Sequence, residues 1–146
     1  MRTGPILAVD PGEKNIGVAI SDSEANLARP LQVIRHVSMR VDAAQIVALA
    51  EENGVQQIIV GLPTGGAGEL IRSSRHSLKM VEEIQFQTAI PVQTWDENNS
   101  TQQARQNLLL LGVKREKRGG HQDALAAAVI LQSYLDHFVS ETTDDK

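Results

Sequence analysis

Three acidic residues occupy positions where a carboxylate has chemistry available to it. Asp10 closes the apolar run Ile6-Leu7-Ala8-Val9, Glu97 follows Val92-Gln93-Thr94-Trp95-Asp96, and Asp123 precedes the run Ala124-Leu125-Ala126-Ala127-Ala128. A carboxylate at the end of a buried apolar run loses hydration and needs a compensating partner. A divalent cation is one such partner: Mg²⁺ or Mn²⁺ takes oxygen ligands, usually a few carboxylates together with waters and a substrate phosphate. Ions held in this way activate a water and stabilise the leaving oxygen of an in-line displacement at phosphorus, the chemistry of phosphodiester hydrolysis. The same residues have plainer uses. Asp10 can cap its own Pro11-Gly12 turn, and Glu97 and Asp123 can each begin a helix, where a carboxylate meets the positive end of the dipole.

The neighbouring residues suit phosphate handling. Lys14 follows Asp10 closely enough to meet a phosphate beside a metal, and Gly12 and Gly17 permit close backbone approach. Gly61-Leu62-Pro63-Thr64-Gly65-Gly66-Ala67-Gly68 runs from a strand into a helix, a place where backbone amides can hold a phosphate, although it lacks the GK[ST] of a nucleotide-binding loop. Arg72, Arg75, His76 and Lys79 continue along that helix and could track a nucleic-acid backbone or form a solvated face. His121, two residues before Asp123 and beside Gly119-Gly120, could protonate a leaving oxygen or orient a water, or could be an ordinary loop histidine. The chain has no cysteine, no HExxH and no GxSxG, which excludes thiolate metal sites, the zincin arrangement and cysteine or elbow-serine hydrolases. One Trp, one Tyr and two Phe leave little for base stacking.

Positioning these residues requires a particular order of elements. Residues 6–10, bounded by Pro5 and Pro11-Gly12, read as a buried central strand. Residues 16–21 follow across a short turn and predict an antiparallel hairpin, and the alternation Leu31, Val33, Arg35, Val37 adds a third strand over 31–37. The period then changes. Ala43, Ile46, Val47 and Ala50 mark an amphipathic helix with Asp42 as N-cap and Gly54 as its stop. Strands over 58–61 and 92–95 alternate with helices over 69–87, 100–111 and 122–139, the last with Leu125, Ala128, Val129 and Gln132 facing inward. The order βββαβαβαα predicts an α/β fold, ribonuclease H-like: a mixed five-stranded sheet, an antiparallel three-strand meander plus two parallel strands, flanked by helices. The crevice of such a sheet lies beyond the carboxyl ends of its parallel strands, where Asp10, Gly61-Leu62-Pro63 and Asp96-Glu97 all fall.

Composition bounds the rest. At 146 residues with 41% hydrophobic and 22% charged residues, the chain is sized for one soluble domain, expected over residues 1–139 with an acidic, flexible tail over 140–146. The lack of cysteine agrees with a reducing cytoplasm, and no apolar stretch approaches the length of a membrane span. A net charge of −4 argues against a protein that coats nucleic acid non-specifically, although Lys114, Arg115, Lys117 and Arg118 form a local basic segment.

Taken together these motifs resemble the YqgF/RuvX family, the pre-16S ribosomal RNA nucleases also described as Holliday-junction-resolvase-like proteins. The resemblance spans nearly the whole chain. It rests on Ala8-Val9-Asp10-Pro11-Gly12-Glu13-Lys14-Asn15-Ile16-Gly17-Val18-Ala19-Ile20-Ser21-Asp22, Ala28-Arg29-Pro30-Leu31, Val60-Gly61-Leu62-Pro63, Asp96-Glu97, Asp123-Ala124-Leu125-Ala126-Ala127 and Ile130-Leu131-Gln132-Ser133-Tyr134-Leu135. It implies a ribonuclease H-like fold and metal-dependent nuclease action, with Mg²⁺ or Mn²⁺, in maturing the 5′ end of small-subunit ribosomal RNA. Asp10, Glu97 and Asp123 would be the acidic set, and the partner a structured RNA or a branched DNA met by a monomer or homodimer. Two departures stand out. Asn98 and Asn99 follow Asp96-Glu97 where the family continues with Arg and a hydrophobic residue, and Thr64-Gly65-Gly66-Ala67-Gly68 replaces a longer Asn-Met-Asp-Gly-like loop. The competing readings are a resolvase of four-way DNA junctions, an ATP-binding protein of the actin and hexokinase type, and a nucleic-acid-binding module without catalysis.

Overall fold

A computed structural model describes residues 4–12, 14–62, 68–96 and 122–144, with side chains described throughout except at 68–73, 122–123 and 138–144. The strands are β1 (Ile6–Pro11), β2 (Asn15–Ser21), β3 (Ala28–Arg35), β4 (Gln57–Leu62) and β5 (Val92–Asp96), and the helices among the described residues are α1 (Met39–Glu52), α2 (Gly68–Gln87) and α3 (Gln122–Asp144). They form one five-stranded sheet in the order β3-β2-β1-β4-β5. β1 is central, antiparallel to β2 and parallel to β4, while β2–β3 is antiparallel and β4–β5 parallel. The expected mixed sheet of meander plus two parallel strands is therefore present.

Its centre explains its sequence. Ile6, Leu7, Ala8 and Val9 are all fully buried, because both faces of β1 are covered and an unbroken apolar run is what such a strand needs. Alternation divides the run. Leu7 and Val9 join Ile16, Val18, Ile34, Ile58 and Val60 in the core beneath α1 and α2, and Ile6 and Ala8 join Ala19, Ile59, Ala127, Ala128 and Leu131 beneath α3.

Element ends differ from the sequence expectation where tertiary contacts compete with local pattern. β3 starts at Ala28 rather than 31 and stops at Arg35 rather than 37. Pro30 hides its beginning, but on the outer strand of the sheet proline is tolerated, and the register shift between Val18 and Ala19 absorbs it. Asp42 is not the N-cap of α1. Ser38 fills that role, its side chain accepting from Val41 N at 3.2 Å, and the helix begins at Met39. Asp42 lies instead in the first turn, fully buried, accepting from Val37 N at 3.0 Å and paired with His36 Nδ1. The stop at Gly54 holds. With φ +62°, Gly54 donates to Glu51 O while Val55 donates to Ala50 O, the paired bonds of a Schellman ending.

α3 runs on to Asp144, past the expected end at 139. Every residue from Ala127 to Leu135 is buried, so the helix is enclosed all round rather than amphipathic over that length. Its polar side chains lock it to the sheet. Gln132 accepts from Ala28 N at 2.9 Å and donates to Asn26 O at 3.1 Å, Tyr134 bridges Gln93 and Gln57, and Trp95 Nε1 donates to Ser133 Oγ at 3.2 Å. The expected helix over 100–111 lies outside the described residues.

Candidate active site

Asp10 occupies the last turn of the pleat in β1, half-buried at the C-terminal end of the central strand. It pairs with Gly17 on β2, and one step beyond the Val9↔Val60 pair it lies beside Gly61 on β4. Paired residues of neighbouring strands point to the same face. On the face that Asp10 shares with Ile6 and Ala8, both of its cross-strand neighbours therefore carry no side chain. The central strand delivers a carboxylate to the edge of a buried sheet, with a glycine beside it on each neighbouring strand. The β1–β2 turn is equally constrained: a Cβ at Gly12 would stand 2.3 Å from the Asn15 carbonyl oxygen, so this turn closes only with glycine.

The same alternation sorts the acids of β5. Gln93 and Trp95 bond to Tyr134 and Ser133 of α3, so they face α3, and Asp96, opposite Leu62, falls on the α1 and α2 face. Asp96 and Asp10 thus lie on opposite faces of the sheet. Glu97, the member of the pair expected in the site, lies outside the described residues, as do Pro63 and His121. Arg72 lies within α2 and Asp123 within the first turn of α3, both described in backbone only.

Helix arithmetic bears on Asp123. Gln132 bonds to Ala28, which pairs with Ser21, whose hydroxyl accepts from Ile6 N, so Gln132 stands where β1 begins. Ala127 and Ala128 share the apolar cluster of Ala8 and Ala19 in mid-sheet. Nine residues of helix rise about 13.5 Å, and the four steps from Ile6 to Asp10 span about 13 Å of strand. A helix running back along β1 from Gln132 would bring the first turn of α3 toward the level of Asp10, and α3 covers the face of the sheet that Asp10 shares with Ile6 and Ala8.

Lys14 is exposed and, with Asn15, Arg35 and His36, lines an open groove of about 630 Å³ at the end of the β2–β3 pair. In the sequence Arg35 marks only the alternation of the third strand, and His36 carries no signal of its own. The signal was the hairpin register, which sets Asn15 opposite Arg35 and lets His36 N donate to Lys14 O at 2.9 Å.

The donor chemistry fits a hard divalent cation: a carboxylate oxygen, no cysteine thiolate in the chain, and glycine beside it on the neighbouring strands. Among the described residues no three His, Asp or Glu side chains gather closely enough to hold a metal by themselves, and Asp10 is the member of the expected set whose side chain is described.

The comparisons with known proteins agree with this architecture. A protein of Clostridioides difficile (strain 630), named "Putative pre-16S rRNA nuclease", is 38% identical over 136 residues, covering 93% of this chain and 96% of its own. A protein of the same name from Chloroflexus aurantiacus (strain ATCC 29366 / DSM 635 / J-10-fl) is 40% identical over 131 residues, covering 90% and 86%. Among solved structures, T. thermophilus RuvC in complex with Holliday junction substrate superposes with a TM-score of 0.65 at 20% identity, covering 92% of this chain and 96% of that one, which supports the ribonuclease H-like fold. The family model of RuvX, described as Holliday junction resolvase, matches residues 4–137, and this chain belongs to the RuvX family.

Proposed function

We propose that this protein is a metal-dependent endonuclease that hydrolyses phosphodiester bonds in structured RNA, acting in the cytoplasm in 5′-end maturation of small-subunit ribosomal RNA. The observation that carries the reading is Asp10, a carboxylate at the C-terminal end of the central strand with glycine on both neighbouring strands. Family membership and the names of the relatives support the same chemistry. Asp10, Glu97 and Asp123 would hold Mg²⁺ or Mn²⁺. Such an ion, when bound, supplies an activated water and charge stabilisation for the leaving oxygen.

The chain's own residues do the rest in this reading. Asp10 follows four fully buried residues of β1, which hold its backbone in place for the reaction. Lys14 contacts a phosphate next to the scissile one, Gly61, Pro63 and Arg72 border the strand of substrate beyond β4, and His121 delivers a proton to the departing oxygen. The test is cleavage by purified protein, as monomer or homodimer, of an RNA carrying the small-subunit 5′ precursor, with Mn²⁺ or Mg²⁺. Product is expected from wild type and none from Asp10→Asn. Wild-type protein that binds the RNA and cuts no nucleic acid would overturn the proposal in favour of a binding module. A second reading, resolution of four-way DNA junctions, is favoured by the family description and the RuvC complex. A four-way junction cut faster than the RNA would select it, and ATP run alongside tests the phosphate-transfer alternative.

A further inference from the structure

The groove of Lys14, Asn15, Arg35 and His36 is built from three basic side chains and an amide in a protein whose net charge is −4. Two parts of the backbone bring them together: the start of β2 and the end of β3, paired Asn15↔Arg35. Among the described residues neither Lys14 nor Arg35 takes part in an ion pair. The nearby acid Asp42 is fully buried, already accepts from Val37 N, and is paired with His36, whose side chain is 35% exposed. Asp42 therefore anchors one wall of the groove through His36 and, among the described residues, forms no ion pair with Lys14 or Arg35.

The groove also has a fixed relation to Asp10. The Asn15↔Arg35 pair lies two residues along β2 from Gly17, the partner of Asp10, about 7 Å away, with Arg35 one strand further across, about 5 Å. Alternation puts Asn15 and Arg35 on the Asp10 face of the sheet, and Lys14 and His36 on the other, so the groove wraps the end of the β2–β3 pair. A guanidinium fork, an ammonium and an amide donor on a curved open surface match successive phosphates of a polynucleotide rather than a single small anion.

We infer that this groove is a phosphodiester-backbone site, with Arg35 as a binding residue, that holds the arm of the nucleic acid flanking the strand presented to Asp10. The inference rests on the nuclease reading for its substrate. Because these residues meet phosphates and not base edges, they act on affinity without sequence preference.

The experiment measures binding of labelled structured RNA and of a four-way DNA junction over a range of salt, with chelator present so that binding is read apart from cutting. Arg29→Gln is the control: Arg29 is also exposed, on the same strand, at its opposite end. Arg35→Gln should weaken binding of both nucleic acids about fivefold and lower the salt slope by about 1, and adding Lys14→Gln should lower it by about 2 in total. Arg29→Gln should leave both quantities at the wild-type value, with all variants melting as wild type does. Equal losses for Arg29→Gln and Arg35→Gln, or no change for Arg35→Gln while wild type binds and cuts, would overturn the groove and leave the nuclease reading standing. Wild type that binds neither nucleic acid would overturn both.

Discussion

Asp10 and Asp42 are both aspartates at the margin of the buried sheet, and the molecule treats them in opposite ways. Asp42 is enclosed completely, and its oxygens are taken by Val37 N and His36 within the turn that joins β3 to α1. Asp10 is half-buried at the end of the central strand, on a face where glycine stands on either side. A carboxylate whose partners come from its own corner of the chain holds that corner together. One that the fold carries to the C-terminal end of the central strand, with glycine beside it on both neighbouring strands, stands at the rim where this kind of sheet binds its ligands. Asp42 is held by His36, a residue of the basic groove, whereas Asp10 stands two residues along β2 from that groove, opposite Gly17.

Substitutions can break or sharpen this contrast. Asp10→Asn should lower cleavage by at least about 10³-fold, equivalent to about 4 kcal/mol of transition-state stabilisation, with the melting temperature close to wild type. Loss of stability without loss of turnover in a cleavage assay would reverse the assignment. Asp42→Ala should behave in the opposite sense, costing about 3 kcal/mol because Val37 N and His36 lose a buried partner. Thermal unfolding should drop by about 10 °C, with cleavage per folded molecule largely kept at a permissive temperature. Gly12→Ala probes the turn between them. The contact of its Cβ with the Asn15 carbonyl predicts about 2 kcal/mol of destabilisation, read by denaturant titration. An unchanged midpoint would show that the turn can rearrange. Smallest is Ser38→Ala, which removes the cap of α1 beside Asp42 and should cost about 1 kcal/mol in the same titration. A loss as large as that of Asp42→Ala would mean that the cap, not the carboxylate, holds the corner.

Much of the fold was legible because single strands carry their own signal. The run Ile6-Leu7-Ala8-Val9 announces a strand buried on both faces, and the Gly54 ending of α1 needs only a residue at ease with positive φ. Legibility failed where a distant residue decides. Asp42 has the composition of an N-cap, and only the arrival of His36 at the end of β3 turns it into a buried partner. Pro30 looks like a break until β3 is known to be an outer strand. The inward position of Gln132 was legible from the period of its helix, but its partners Ala28 N and Asn26 O, a hundred residues away in sequence, are contained in no local pattern. Of the candidate site, Asp10 was visible from its strand and Lys14 from its nearness to Asp10, whereas Arg35 and His36 reach Lys14 only through the hairpin register.

The sequence by itself determined the order of elements, the family and the identity of Asp10, because hydrophobic period, turn chemistry and an acid ending an apolar run are all properties of a few consecutive residues. The tertiary structure decided which faces Asp10 and Asp96 take, setting them on opposite sides of the sheet, and assembled the basic groove. Faces and grooves are set by strand register, and register depends on pairing between segments that the chain brings together only when it folds.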